Sequence, residues 1–451
     1  MSGGHDVCDW AGSVRGPSPG KRGVFLLDRL VETGASRVRV LGGNRAGEMR
    51  ITRFLRNPSV TMAEMVGSAA SRTHLRAEGI DILAIQDTTD LRSQNGAASL
   101  ALHPTLAVEA DSGAILGLAG AEFLHREGGT KARRKVTAFA DKESARWLRG
   151  MEASTGLRDA GAARVTAVMD REGDIFEDFA LRPEGDFALR PEGIDILIRA
   201  AQDRLLASGE RLFETADALP EIGRIETDLP ASPGRKARRA TFALRSTVIE
   251  IARPDRASTA ERDALPETVS LTLVDAREIG PATPGKPLAH WRLLTSHTVR
   301  TLADAERIVG FYRRRWTIEQ VFRTLKTRGF DIEALRIRDD EPFEKLAMAA
   351  LIAAITIMQL VHERDGAARR PLRDAFDAGD DAFLRHLCAS LEGKTEKQKN
   401  PHPPNSLAFA AWVFARLGGW NCYYGKPGPI VMFNGLIRYQ NLRQGWILRD
   451  V

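Results

Sequence analysis

Two short apolar runs, each ending in an aspartate, constrain this 451-residue chain more than any other feature. Residues 80–86 (IDILAIQ) lead into Asp87, and residues 164–169 (RVTAVM) lead into Asp170. Compact apolar runs that stop at a polar residue read as strands buried on both faces. Such strands need helices to cover them, which places the chain in the α/β class. The intervening stretch agrees. Residues 100–110 and 114–124 are β-rich and meet at Asp111-Ser112-Gly113, a hairpin turn sequence. Residues 142–154 (KESARWLRGMEAS) follow a helical pattern that brings Ala145, Leu148 and Met151 towards one face.

Strand, strand, strand, helix, strand is the opening order of a ribonuclease-H-like fold, in which carboxylates gather at the ends of adjacent central strands. A strand-end aspartate taken singly is usually a turn or cap residue. A third carboxylate comes from a charged segment. Lys+Arg exceeds Asp+Glu by 65 to 59, a formal net charge of only +6. Residues 312–338 alone hold eight basic and three acidic residues, net +5. Residues 301–329 read as one continuous helix ended by Gly329. At about 100° per residue, Tyr312, Arg315, Glu319 and Lys326 then fall within roughly 60° of one another, with Arg323 close to the same stripe. Ile318, Phe322 and Leu325 lie opposite, towards a core. Glutamate can bind a metal while arginine and lysine hold phosphate oxygens; a solvated face laced with salt bridges is the other reading.

The rest of the chain sets limits. Its length predicts about two to four domains. Residues 1–75 read as a largely helical N-terminal region, residues 76–361 as a catalytic core with a β-rich insertion at about 205–290, and residues 362–451 as a mainly helical C-terminal region. Cys8, Cys388 and Cys422 are too far apart for a disulfide framework or zinc site, which fits a reducing, cytoplasmic setting. No H-E-x-x-H and no P-loop occur, so neither zinc hydrolysis nor ATP use is indicated. The apolar stretch 346–361 is short for a bilayer span and predicts a buried helix. A tandem duplication, FALRPEGD at 179–186 and FALRPEGI at 187–194, lengthens a loop. Basic clusters at 131–135 (KARRK) and 235–239 (RKARR) are either DNA-backbone contacts or solvated loops. Residues 394–404 form a basic, Pro-rich loop, followed later by a Gly- and aromatic-rich segment.

Together these residues resemble the cut-and-paste DDE transposases of the insertion-sequence-four family, the group that includes the transposase of transposon five. The Y-(2)-R-(3)-E-(6)-K signature is complete at Tyr312, Arg315, Glu319 and Lys326; LAIQDTTDL surrounds Asp87 and VMDREGDIF surrounds Asp170. The resemblance implies a metal-binding triad of Asp87, Asp170 and Glu319, with Mg²⁺ as cofactor and Mn²⁺ as substitute. It implies DNA contacts from Tyr312, Arg315, Lys326, Arg323 and Arg199, and insertion of Trp291 where a base is displaced; a core aromatic on a strand is the plain alternative for Trp291. The partners implied are double-stranded DNA at the element's ends and in the target, and a homodimer across paired ends, with an end-binding role for residues 1–75 and dimerisation through 362–451. A decayed DNA-binding protein that interferes with an active relative, and a nuclease without strand transfer, remain the other readings.

Overall fold

The computed structural model describes residues 17–91, 99–126, 142–180, 190–229, 237–255, 265–281, 287–326, 329–335, 337, 339–376 and 379–448. Four helices come first: α1 (Pro17–Thr33), α2 (Val38–Gly42), α3 (Arg45–Leu55) and α4 (Met62–His74). The starts of α3 and α4 are written in their caps. Asn44 accepts from Gly47 N at 2.9 Å, and Thr61 forms a reciprocal capping box with Glu64. Next are β1 (Asp81–Gln86), β2 (Thr89–Leu91), β3 (Ser99–Glu109) and β4 (Ile115–Arg126). The second aspartate is framed by α5 (Arg146–Asp159), β5 (Arg164–Met169), α6 (Phe176–Phe179) and β6 (Ile194–Arg199). After α7 (Leu212–Ala218) come β7 (Gly223–Leu229), β8 (Arg238–Ala252), β9 (Thr268–Ile279) and β10 (His290–Thr295). Helices close the chain: α8 (Leu302–Arg313), α9 (Trp316–Lys326), α10 (Asp340–Glu363), α11 (Asp380–Leu391), α12 (Leu407–Leu417) and α13 (Pro429–Leu448).

These elements fall into two compact units. One gathers Met1–Asp81, Thr88–Gly128 and Thr317–Val451; the other gathers Ile82–Asp87 and Gly129–Trp316. The N- and C-terminal segments, separate in the linear reading, therefore share a unit.

The second unit is a mixed sheet with strand order β1-β5-β6-β10-β9-β8-β7. β5 and β6 are parallel, with Val165 opposite Ile194 and Met169 opposite Ile198; β10 returns antiparallel to β6, with Leu293 opposite Arg199. Helix α5 packs on β5 and β6, burying Leu148, Met151 and the whole Trp147 ring. The β-rich stretch at about 205–290 contributes β7, β8 and β9, and these continue the same sheet beyond β10. Long antiparallel pairing explains this. β9 and β10 match from Arg277–His290 to Thr272–Thr295, leaving no edge between β9 and the strands before it in the sheet.

In the first unit β3 and β4 form the expected hairpin. Gly113 adopts φ +79° at the turn, and Glu109 N donates to Ala114 O at 2.9 Å. The apolar stretch forms α10, long and apolar enough to cross a membrane, yet 89% of its most apolar window is buried inside the unit. Its two polar side chains within the apolar stretch are used: Thr356 Oγ1 donates to Ile352 O at 3.3 Å, and Gln359 Nε2 donates to the carbonyls of Ile115 and Leu116 at 3.2 and 3.3 Å. Helix α4 covers β4 at Gly117, whose φ is +148° and whose Cβ would lie 2.3 Å from Thr73 Oγ1. A side chain there meets both a backbone penalty and a collision. We expect Gly117→Ala to lower the unfolding free energy by about 1–3 kcal/mol in urea titrations. An unchanged midpoint and slope would contradict this close approach.

Candidate active site

The sheet delivers both aspartates at strand ends. Asp87 follows β1 directly and Asp170 follows β5, and β1 and β5 are neighbours. Asp170 caps the short turn Arg171–Gly173, its Oδ1 accepting from Glu172 N at 2.8 Å. Glu172 in turn is held by Arg146 of α5.

The helical motif proves to be two helices. The amide of Arg314 is shared between the Gly310 and Phe311 carbonyls at 3.3 and 3.1 Å, and Arg315 N donates to Tyr312 O at 3.1 Å. The Arg314–Phe311 and Arg315–Tyr312 bonds, each spanning three residues, tighten the chain into a turn that ends α8 before α9 begins. The single-wheel alignment of Tyr312 and Arg315 with Glu319 and Lys326 is thereby corrected. Two buried contacts in the sheet unit account for the break. Arg315 Nη1 donates to Asp87 Oδ2 at 2.8 Å, with the two side chains only 11% and 18% exposed. Tyr312, 4% exposed, accepts a hydrogen bond from the Arg199 guanidinium.

Around Tyr312 the cluster closes. Burial pushes its phenol above the ordinary tyrosine range; the Arg199 and Arg315 guanidiniums oppose that shift and the Asp170 carboxylate adds to it. Burial likewise lowers the Arg199 guanidinium, while Tyr312 raises it. Arg199 ends β6 and also donates from Nη2 to His290 O at 3.0 Å. Trp291 sits on β10, 8% exposed, stacked on Phe242 at 4.8 Å and tilted against Tyr312 at 5.8 Å. Thus Asp87, Asp170, Arg199, Trp291, Tyr312 and Arg315 all belong to the sheet unit, joined by direct contacts or electrostatic interaction.

The remaining signature residues belong to the helical unit. Glu319, Arg323 and Lys326 lie on α9 at spacings of four and seven, which share a face, while Ile318, Val321, Phe322 and Leu325 are buried. Lys326 Nζ lies 2.9 Å from Glu333 Oε1 and also donates to the Asp90 carbonyl.

Linear reading missed Asp174. Its carboxylate is 1% exposed and accepts from Ala201 N, Gln202 N and Arg204 Nε, each at 2.7 Å. The repeated aspartate in VMDREGD was its only sequence signal. The duplication spans 179–194, and 181–189 lie outside the described residues. On either side of them Arg190 N donates to Ala180 O at 3.0 Å, and β6 then pairs in register with β5. The cluster at 131–135 also lies outside the described residues, as do Arg235 and Lys236. The described end of the second cluster is paired within the sheet, Arg238 with Glu278 and Arg239 with Glu226.

Among the described residues, no group of three or more His, Cys, Asp or Glu side chains is gathered to hold a metal ion. The donor chemistry at the two strand ends is all oxygen, the set that Mg²⁺ takes in small number beside water and phosphate. A family model described as a transposase DDE domain matches residues 129–356, just over half of the chain and a span that includes Asp170, Arg199, Trp291 and residues 312–326.

The raised Tyr312 phenol has a pH consequence. A proton held more tightly in the folded state contributes stability that is complete below the unfolded value of about 10 and is lost as pH rises through the folded value. Stability should fall above about pH 10, and less steeply in Tyr312→Phe, when followed by urea midpoints from pH 8 to 11. Equal slopes would count against the burial of the Tyr312 phenol.

Proposed function

Because the chain belongs to the DDE transposase family, a family of DNA-cleaving enzymes that generally use divalent metal ions, we propose that it is a cut-and-paste transposase of the insertion-sequence-four type. The observation that carries this reading is the buried Arg315–Asp87 pair beside Tyr312, Arg199 and Asp170, two carboxylates and two guanidiniums brought together by the sheet. Asp87, Asp170 and Glu319 would hold Mg²⁺ or Mn²⁺; two such ions supply the positive charge that activates a water and stabilises a leaving 3′ oxygen in phosphodiester cleavage.

The chain's own groups do the remaining work. Arg315, Arg199, Arg323 and Lys326 would hold phosphates near the element's end, orienting the scissile bond and neutralising charge that grows during transfer. Tyr312, packed on Trp291, would support a displaced base, whose unstacking costs a few kcal/mol. The reaction would run as hydrolytic nicking, attack of the freed 3′-OH on the opposite strand to give a hairpin, hairpin opening, and joining to target DNA. Residues 1–75 would read the end sequence, and residues 362–451 would contribute to pairing of two protomers. The in-register return of β6 after the duplication favours an active enzyme over a decayed one.

The test is incubation of purified protein with labelled end DNA and Mg²⁺ or Mn²⁺, resolving nicks, hairpins and joined products. Asp87→Asn, Asp170→Asn and Glu319→Gln should each abolish cleavage while duplex binding persists. Cleavage at the wild-type rate in any of them would remove that residue from the triad. Lys326→Ala should weaken duplex binding and reduce the slope of log K against log salt by about 0.9. A slope equal to that of the unaltered protein would argue against a phosphate contact.

A further inference from the structure

The helical unit carries a second basic and aromatic surface, far along the chain from the aspartates. A cavity of about 400 Å³ opens there, lined by the cations Arg364, Lys397, Lys399 and Lys426, the carboxylates Asp365 and Glu396, and the rings of Trp412 and Trp420. Lys426 pairs with Asp365 at 2.7 Å and Lys399 with Glu392 at 3.2 Å, pairs that a phosphate would compete with. Residues 394–426 hold five Lys or Arg and one Glu, a local net charge of +4. Next to the cavity wall the chain makes a tight aromatic turn. Asn421 Oδ1 accepts from Tyr423 N at 3.0 Å and from Tyr424 N at 3.4 Å, and Gly425 takes φ +58°. Trp420 Nε1 donates to Gly425 O at 3.0 Å across the same turn. The Tyr423 ring is steadied by the Thr395 hydroxyl at 2.9 Å and by Lys397 Nζ at 5.9 Å from its centre. Tyr424 is left 81% exposed, the most exposed of the large aromatic side chains described.

A side chain of this size exposed on a hydrogen-bonded turn, beside lysines, fits a particular chemistry. Lysine-rich walls attract phosphates, and exposed rings offer stacking planes to bases. Bases present free faces only when unstacked, which a closed duplex does not provide. Protein–protein interface cores, by contrast, are depleted in lysine. We propose that this surface binds a single-stranded DNA segment, with Tyr424 as stacking platform and Lys397 and Lys426 as phosphate contacts. The assignment rests on the reading of the chain as a DNA transposase and gives the basic, Pro-rich loop of residues 394–404 a role in holding strands that have been opened.

The test uses the full chain and a fluorescein-labelled oligo(dT) of about 12 nucleotides, followed by anisotropy, beside cleavage of end duplex. Tyr424→Ala should weaken oligonucleotide binding about tenfold, and Tyr424→Phe should stay within about twofold, because the stacking plane persists. The Lys397→Ala/Lys426→Ala double variant should reduce the salt slope by about 1.4. Duplex cleavage should continue at the wild-type rate in all three. Unaltered oligonucleotide affinity in Tyr424→Ala would overturn the proposal, and so would a change in sedimenting species without a change in affinity, which would mark a contact between copies of the chain. A wild-type protein that fails to cleave end DNA, yet shows these affinity losses, would overturn the transposase reading and leave the strand-binding surface standing.

Discussion

The buried Asp174 carboxylate is the interaction on which the candidate site depends. It takes two backbone N–H groups and one guanidinium N–H from the segment just beyond Arg199, while its own backbone ends the turn that Asp170 caps. A carboxylate with no solvent to fall back on must be paired, so this arrangement forms completely or costs several kcal/mol. It joins two stretches that the duplication separates in sequence. The segments just beyond Asp170 and just beyond Arg199 are thus tied by one knot of hydrogen bonds, and β5 and β6, which precede them, pair in register.

Charge in the cluster is balanced locally. Asp87 is matched by Arg315, and Asp170 lies within the electrostatic reach of a tyrosine that Arg199 and Arg315 also influence. Burial acts on Tyr312 and Arg199 in the same sense, towards their neutral forms, and their mutual hydrogen bond opposes it for both. The described end of the basic cluster at 235–239 is paired as well. Arg238 and Arg239 meet Glu278 and Glu226, so their charge is spent on cross-strand pairing.

Much of the framework was legible because it is local. The strand before Asp170 begins and ends where its apolar run does, the 111–113 turn takes the positive φ its glycine allows, and the stretch 346–361 is a core helix. What escaped was non-local. Nothing in residues 312–326 marks a break, since Arg314 and Arg315 are good helix formers. The turn exists because Tyr312 and Arg315 are held by Arg199 and Asp87, residues more than a hundred positions away. Similarly, the stretch at about 205–290 was visible as β-rich, but the union of its strands with β10 is a matter of pairing partners.

By itself the sequence determined the α/β class, the two aspartates at strand ends, and the spacing of Tyr312, Arg315, Glu319 and Lys326, because periodicity and chain order are properties of neighbouring residues. Only the tertiary structure decided that Tyr312 and Arg315 precede a helix break, that Arg315 pairs with Asp87, and that Asp174 ties the two sides of the duplicated loop. Each of those depends on burying charge against a partner distant in sequence, and a buried charge selects its partner by geometry that no local pattern encodes.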